Sequence, residues 1–442
     1  MPKVSIPTPS AKRQLERVRT CDPVKVNGRV VTAIGSLIES VGPPAEIGEI
    51  CDISRGRISR PLQAEVVGFR AERTLLAPIG DPSGIRPGAE VVATRRRAEV
   101  SVGREMLGRV VNGLAEPVDG KGPLNAEAKM RLQRSAPPAM ERRPIREPIS
   151  LGIRAIDGLI TCGLGQRMGI FAGSGVGKSV LMGMIARNTS ADVNVIALVG
   201  ERGRELREFI EDSLGEEGLA RSVIVVATSD EPAILRQRSA FVATAIAEFF
   251  RDQGNHVLLM MDSITRLAMA QREISLAAGE HPSARGYTPS VFSLLPRLLE
   301  RAGCAAHGSI TGVYTVLVDA DDVNDPIGDA VRAILDGHIV LDRRLTSRGH
   351  YPPIDCLQSL SRVMDHVVSP DHLALARKMR SLMAAYKETE DLIQIGAYKA
   401  GSNPLVDEAI AKRERIDRFL QQRIDESASF HDTLETMGRT LE

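Results

Sequence analysis

A glycine-rich run ending in a lysine and a hydroxyl, Ala172-Gly173-Ser174-Gly175-Val176-Gly177-Lys178-Ser179, follows the apolar stretch Arg167-Met168-Gly169-Ile170-Phe171 and opens a helical pattern. Backbone N–H groups of such a turn converge on phosphate oxygens, and the helix that follows adds the positive end of its dipole. Lys178 is expected to reach the β- and γ-phosphates, and the Ser179 hydroxyl to bind Mg²⁺. Nucleotide contacts then fall to Gly173, Ser174, Gly175, Val176, Gly177, Lys178, Ser179 and Val180. The strict pattern begins with glycine; Ala172 stands there instead, small enough to permit the turn. The run reads as a phosphate-binding loop for ATP and Mg²⁺.

Two acidic positions extend that chemistry. The apolar strand His256-Val257-Leu258-Leu259-Met260-Met261 ends in Asp262. A carboxylate at the carboxyl end of a strand neighbouring the loop can hold Mg²⁺, directly or through water. The second position lies in Gly200-Glu201-Arg202-Gly203-Arg204-Glu205, just after a strand expected at 194–199. A carboxylate there, beside the γ-phosphate, would orient and deprotonate the attacking water. On spacing alone, Glu201 and Glu205 serve equally well as acidic residues in the first turn of a helix.

These residues need a scaffold, and the pattern supplies one. Strands are expected at 167–172, 194–199, 222–227, 256–261, 310–318 and 338–341, with helices at 178–187, 204–213, 232–251 and 264–276. That alternation predicts a mostly parallel sheet with helices on its faces. Before it, short β-branched segments (24–34, 64–69, 74–77, 90–93) alternate with turn signals such as Pro87-Gly88, the mark of a small antiparallel barrel. The fold class is therefore α/β: a P-loop (RecA-like) ATPase core, preceded by a small β-barrel domain and followed by an α-helical domain. The expected divisions are a partner-binding tail at 1–23, the barrel at 24–95 and a Gly-, Pro- and Arg-rich connector at 96–148. The ATPase domain follows at 149–369 and the helical domain at 370–442. The Arg95-Arg96-Arg97 run reads as solvated surface.

Composition narrows the partners. Net charge is +1 and aromatics are 3%, with no Trp, so neither a basic footprint nor a stacking platform for nucleic acid is expected. The five cysteines form no CxxC pair, which points to buried thiols rather than a zinc site or disulfide framework. Mg²⁺ is the only metal expected. No signal peptide opens the chain and no apolar run approaches the ~20 residues of a spanning helix, so a cytoplasmic protein is expected.

The motifs together resemble the type III secretion ATPases, flagellar and injectisome, which are similar to the catalytic subunit of rotary ATP synthases. The resemblance runs from about Val24 to about Gln422 and rests on the loop above, 200–205, 258–266 and Ala270-Gln271-Arg272-Glu273. Further matches are Gly286-Tyr287-Thr288-Pro289-Ser290, 335–341, Pro352-Pro353-Ile354-Asp355 and Ser359-Leu360-Ser361-Arg362. It implies Glu201 as the catalytic glutamate, Tyr351 as the aromatic that stacks on adenine, and Arg362 as an arginine finger reaching in trans into a neighbouring copy's site. One chain carrying both loop and finger implies a homohexamer.

The function so implied is ATP hydrolysis energising type III protein export, by releasing or unfolding chaperone-bound substrates. The flagellar system is favoured by the 391–402 stretch and the Gly203-Arg204-Glu205 context. Implied partners are a stator-like regulator at the N-terminus, a stalk protein, export chaperones with cargo, and an export gate at the membrane. The place implied is the cytoplasmic side of the inner membrane, peripherally bound at the export apparatus. The alternatives are an injectisome ATPase, a rotary synthase subunit and an RNA translocase.

Overall fold

The computed structural model describes residues 26–56, 60–173, 175–318 and 325–442. The expectations for the tail 1–23 and for Ser174 fall outside the described residues. The chain divides into two compact units, Met1–Arg97 and Ala98–Glu442.

In the first unit, β1 (Gly28–Ile34), β2 (Leu37–Val41), β3 (Glu49–Ile53), β4 (Leu62–Arg70), β5 (Arg73–Pro78) and β6 (Glu90–Arg97) close a barrel in the order β1-β2-β5-β4-β3-β6. Every pairing is antiparallel. Inward and outward residues alternate as the pleat requires: Leu62, Ala64 and Val66 of β4 are buried with Val30, Ile38, Cys51, Ile53 and Leu76. Two strands, β2 and β3, were not expected from the sequence. Each is five residues long and carries polar side chains within it (Glu39, Ser40, Asp52), which hides the alternation. Ser40 is nonetheless buried, its hydroxyl donating to the Gly42 carbonyl at 2.6 Å.

The second unit holds the expected parallel sheet. Its early part contributes β7 (Glu99–Val102), β8 (Arg109–Asn112) and β9 (Ala128–Arg131), then the short pair β10 (Pro148–Ile149) and β11 (Cys162–Gly163). The main strands are β12 (Arg167–Ala172), β13 (Val193–Glu201), β14 (Ser222–Thr228), β15 (His256–Asp262), β17 (Ser309–Leu317) and β18 (Gly337–Val340), with short β16 (Gly303–Cys304) and β19 (Leu360–Ser361). The order across the sheet is β19-β18-β12-β17-β15-β13-β14-β8, with β16 paired to β17. Only the β18/β19 and β16/β17 pairings are antiparallel. Strands covered by helices on both faces read as unbroken apolar runs, as 257–261 of β15 does, fully buried throughout.

The segment expected to be a mere connector, 96–148, is more than that. Its β8 pairs in parallel with β14 and forms one edge of the nucleotide-binding sheet. Arg109 fixes the turn behind it by a two-pronged pair with Asp119, at 2.7 and 2.9 Å. The strand escaped notice because Arg109-Val110-Val111-Asn112 is only four residues long amid turn signals.

The helix expected at 204–213 also differs. It begins as an α-helix (Gly203–Glu208) and widens into a π-helical turn (Phe209–Leu214). Residues five apart share a face in such a turn, so Phe209 and Leu214 are both buried. The helix that follows the phosphate loop, Lys178–Asn188, packs on this turn through Gly183, where a Cβ would lie 2.6 Å from the Ser213 carbonyl oxygen.

Beyond Ser369 the chain is helical, as expected: Pro370–Gln394, Pro404–Leu420 and Phe430–Leu441. Ser369, Asn403 and Ser429 cap these helices, each side chain accepting from a first-turn N–H, and proline opens the first two. Met379, Leu382, Val406, Phe419 and Met437 join one hydrophobic core with Ile156, Leu159 and Leu181. The helical segment thus shares its interior with the sheet. The four described cysteines are buried free thiols, as expected.

One ion pair lies wholly inside this unit. Arg301 (1% exposed) donates through Nε and Nη2 to both oxygens of Glu248 (0% exposed), at 2.9 and 2.8 Å, and through Nη1 to the Leu132 carbonyl at 2.7 Å. Removing one partner strands the other charge in a dry interior. Glu248→Ala is expected to lower unfolding stability by about 3–5 kcal/mol, read from denaturant midpoints; a loss below about 1 kcal/mol, the scale of an exposed pair, would contradict it.

Candidate active site

The phosphate loop leaves β12 at Ala172 and enters the helix Lys178–Asn188. Gly175 (φ 75°) and Gly177 (φ 91°) hold left-handed backbone that a side chain would strain, which is why glycine recurs there. Gly173 and Val176 are buried, while Ser179 and Val180 are exposed at the start of the helix.

Three ionisable groups meet at the carboxyl ends of the strands. The Lys178 ammonium contacts Asp262 Oδ1 and lies 3.8 Å from Glu201 Oε1. Their side chains are 11%, 4% and 12% exposed, so the charges interact with little water between them. Sequence reasoning placed Asp262 on a strand next to the phosphate-loop strand. The structure corrects this: β17 lies between β12 and β15, and Lys178 spans the gap. Thr315 on β17 donates its hydroxyl to Asp262 Oδ1 at 2.7 Å.

Glu201 ends β13 and is also held by Arg266, whose Nε and Nη2 donate to its two oxygens at 3.1 and 3.4 Å. Burial raises the Glu201 carboxyl to about 7; the Asp262 charge adds to this, and Lys178 and Arg266 pull against it. Glu205, on the exposed first turn of the next helix, pairs with Arg202 at 3.3 Å and also hydrogen-bonds the Glu201 side chain, which raises the Glu201 carboxyl further. The two glutamates, indistinguishable by spacing, occupy different environments. Arg266 was missed; it stands in the first turn of the helix Ile264–Ala277 that follows Asp262.

A cavity of about 820 Å³ opens beside the loop, between Gly177, Val180 and Leu181 on one side and Tyr351 with residues 421–426 on the other. Tyr351 is 48% exposed and faces this space. The 421–426 wall, which the sequence did not suggest, is tied in place by Gln422 and Arg154. The Gln422 amide N–H donates to the Tyr351 carbonyl at 2.9 Å, and its side chain donates to Gly152 O at 2.8 Å and accepts from Arg154 N at 2.9 Å. The Arg154 guanidinium donates to Phe419 O at 2.9 Å and pairs with Glu426.

Arg362 stands apart from this cluster. It is exposed beside the edge strand β19, and its amide donates to Asp336 O at 2.9 Å. Asp336 in turn pairs with Arg167, at the amino end of β12. The phosphate loop leaves the other end of that strand, six residues on, or roughly 20 Å at the usual rise. Arg362 therefore does not serve the loop of its own chain.

Family comparison agrees with the geometry. Residues 25–95 match the beta-barrel domain and 152–361 the nucleotide-binding domain of the ATP synthase alpha/beta family, and 368–439 match the T3SS EscN ATPase C-terminal domain. The flagellum-specific ATP synthase of Bacillus subtilis is 53% identical over 421 residues, covering 95% of this chain and 96% of its own. The type 3 secretion system ATPase of Xanthomonas euvesicatoria is 50% identical over 431 residues, covering 97% and 98%. The chain belongs to the type III secretion ATPases. Among solved structures, the assembled ATPase EscN of enteropathogenic E. coli superposes with a TM-score of 0.88 at 45% identity, covering 94% of this chain and 100% of that one. This type III secretion ATPase is thus a nucleotide-binding enzyme with a barrel, a mostly parallel sheet and a C-terminal helical region. Among its described residues no helix is long and apolar enough to cross a membrane.

If Glu201 is the base, its carboxyl, at about 7, must ionise before it can accept a proton. Below that pH, kcat/KM for ATP is expected to fall about tenfold per unit. A flat profile from pH 5.5 to 8 would count against Glu201 as the base.

Proposed function

We propose that this ATPase hydrolyses Mg²⁺·ATP in a homohexameric ring, each site completed by Arg362 of the adjacent copy, and that the turnover energises type III protein export. The observation that carries the reading is the Lys178–Asp262–Glu201 cluster at the carboxyl edge of the sheet. Lys178 compensates phosphate charge, and the phosphate-loop amides bind the same oxygens. The Ser179 hydroxyl and Asp262, directly or through water, are the residues that would hold Mg²⁺. They form an all-oxygen set with a single carboxylate, which suits a cation that keeps water and substrate phosphate as its other ligands. Bound there, Mg²⁺ would neutralise charge on the transferring phosphoryl group. Glu201, poised near neutrality, accepts the proton of the attacking water. Tyr351 stacks on the adenine, and residues 421–426 close the pocket behind it.

Arg362 as a shared residue is supported by its exposure, its distance from its own loop and its place on the sheet edge beside Leu360, an exposed apolar side chain (47%) suited to a subunit contact. EscN has been solved as an assembly and with its central stalk EscO. A stalk protein is accordingly proposed as a partner here, with a stator-like regulator, chaperone-bound cargo and an export gate completing a machine on the cytoplasmic side of the inner membrane. Flagellar components are the cargo class we favour: the relatives from Bacillus subtilis and Treponema pallidum, both 53% identical, are flagellum-specific. The injectisome reading follows from the 50% match to the Xanthomonas enzyme. Deleting the gene and scoring motility against effector secretion separates the two.

Lys178→Ala should abolish ATP binding. Glu201→Gln should retain it while turnover drops by about 10²–10⁴. Arg362→Ala should bind ATP normally yet lose about 10³–10⁵ in kcat. Mixing Arg362→Ala with Lys178→Ala protein should restore part of the activity at interfaces that pair an intact loop with an intact finger. No gain on mixing, with ring assembly demonstrated, would refute the shared site.

A further inference from the structure

We propose that Thr315 is a positioning residue for Mg²⁺, acting through Asp262; this rests on the Mg²⁺ assignment just given. Thr315 sits on β17, between the phosphate-loop strand and the Asp262 strand. It is opposite Ile170 of β12, and its neighbour Tyr314 is opposite Met261 of β15. Its side chain is fully buried, and its single hydroxyl proton has two acceptors in reach: Asp262 Oδ1 at 2.7 Å and the Met261 carbonyl at 3.3 Å. The shorter bond, to a carboxylate oxygen, is the stronger.

Lys178 contacts the same Oδ1. Two donors thus converge on one carboxylate oxygen, and among the described residues none donates to Oδ2. The carboxylate is turned so that Oδ2 is the oxygen available to a cation or to its water. The two donors have different futures. Lys178 is also the proposed phosphate ligand, and once its ammonium turns to the triphosphate the remaining bond to Asp262 Oδ1 among the described residues is the one from Thr315. The hydroxyl therefore matters most when nucleotide is in place, when the metal must be oriented. Partners of this kind, which hold a ligand rather than the metal, typically change metal affinity by about 10–100-fold when removed.

The test compares wild-type protein, Thr315→Val, which keeps the shape and loses the hydroxyl, and Thr315→Ser, which restores it. A fluorescent ATP analogue is titrated in EDTA and again across a Mg²⁺ series. Thr315→Val is expected to bind the analogue in EDTA as wild type does, but to require about 10–100-fold more Mg²⁺ for the metal-dependent tightening, with Thr315→Ser close to wild type. An unchanged Mg²⁺ requirement in Thr315→Val overturns the proposal. So does an equal loss of affinity with and without Mg²⁺, the mark of a purely structural role, or a failure of Thr315→Ser to recover. If wild-type protein itself shows no Mg²⁺-dependent tightening, the Mg²⁺ assignment fails first, a result distinct from any defect confined to the valine variant.

Discussion

An ammonium held between two carboxylates organises this enzyme. Lys178, Asp262 and Glu201 come from three separate elements and meet where little water reaches them. Two carboxylates in such a place repel each other. The lysine offsets that repulsion, and Arg266 supplies a second cation at Glu201. The cluster is thereby electrostatically coupled to nucleotide. On the proposed reading, phosphate drawing the lysine's charge would alter the field at both carboxylates at once.

The order of the sheet makes the meeting possible. Parallel strands bring all their carboxyl ends to one edge, so loops after β12, β13 and β15 share a single rim. That much was legible in the sequence, because a parallel sheet writes itself as separated apolar runs; 167–172 was read with its observed bounds. The glycine pattern of the phosphate loop was equally plain, since two positions demand left-handed backbone. Strand order was not legible. Nothing in the spacing of Asp262 says that β17 intervenes, since the pairing of distant strands depends on packing rather than local preference. The short, polar-laced β2, β3 and β8 were lost for a related reason: their stability comes from neighbours, not from their own pattern.

Long-range assembly hid the rest of the site. Residues 421–426 lie far along the chain from the loop they face, and only the folding of the last helices onto the Arg154–Leu159 helix brings them there. Gln422 and Arg154 look unremarkable as letters; their weight comes from satisfying several backbone groups at once in a half-enclosed corner. The roles proposed for Arg362 and Tyr351 rest on resemblance alone, since an exposed arginine just past an edge strand has no local signature.

The contact between Gly183 and Ser213 leaves no space between backbones. The helix bearing Lys178 and Ser179 and the segment that follows Glu201 consequently travel together, because neither can slide without collision. The opposite wall, residues 421–426, is anchored differently: it joins two helices that share the sheet's apolar core, and Gln422 and Arg154 tie it by polar contacts.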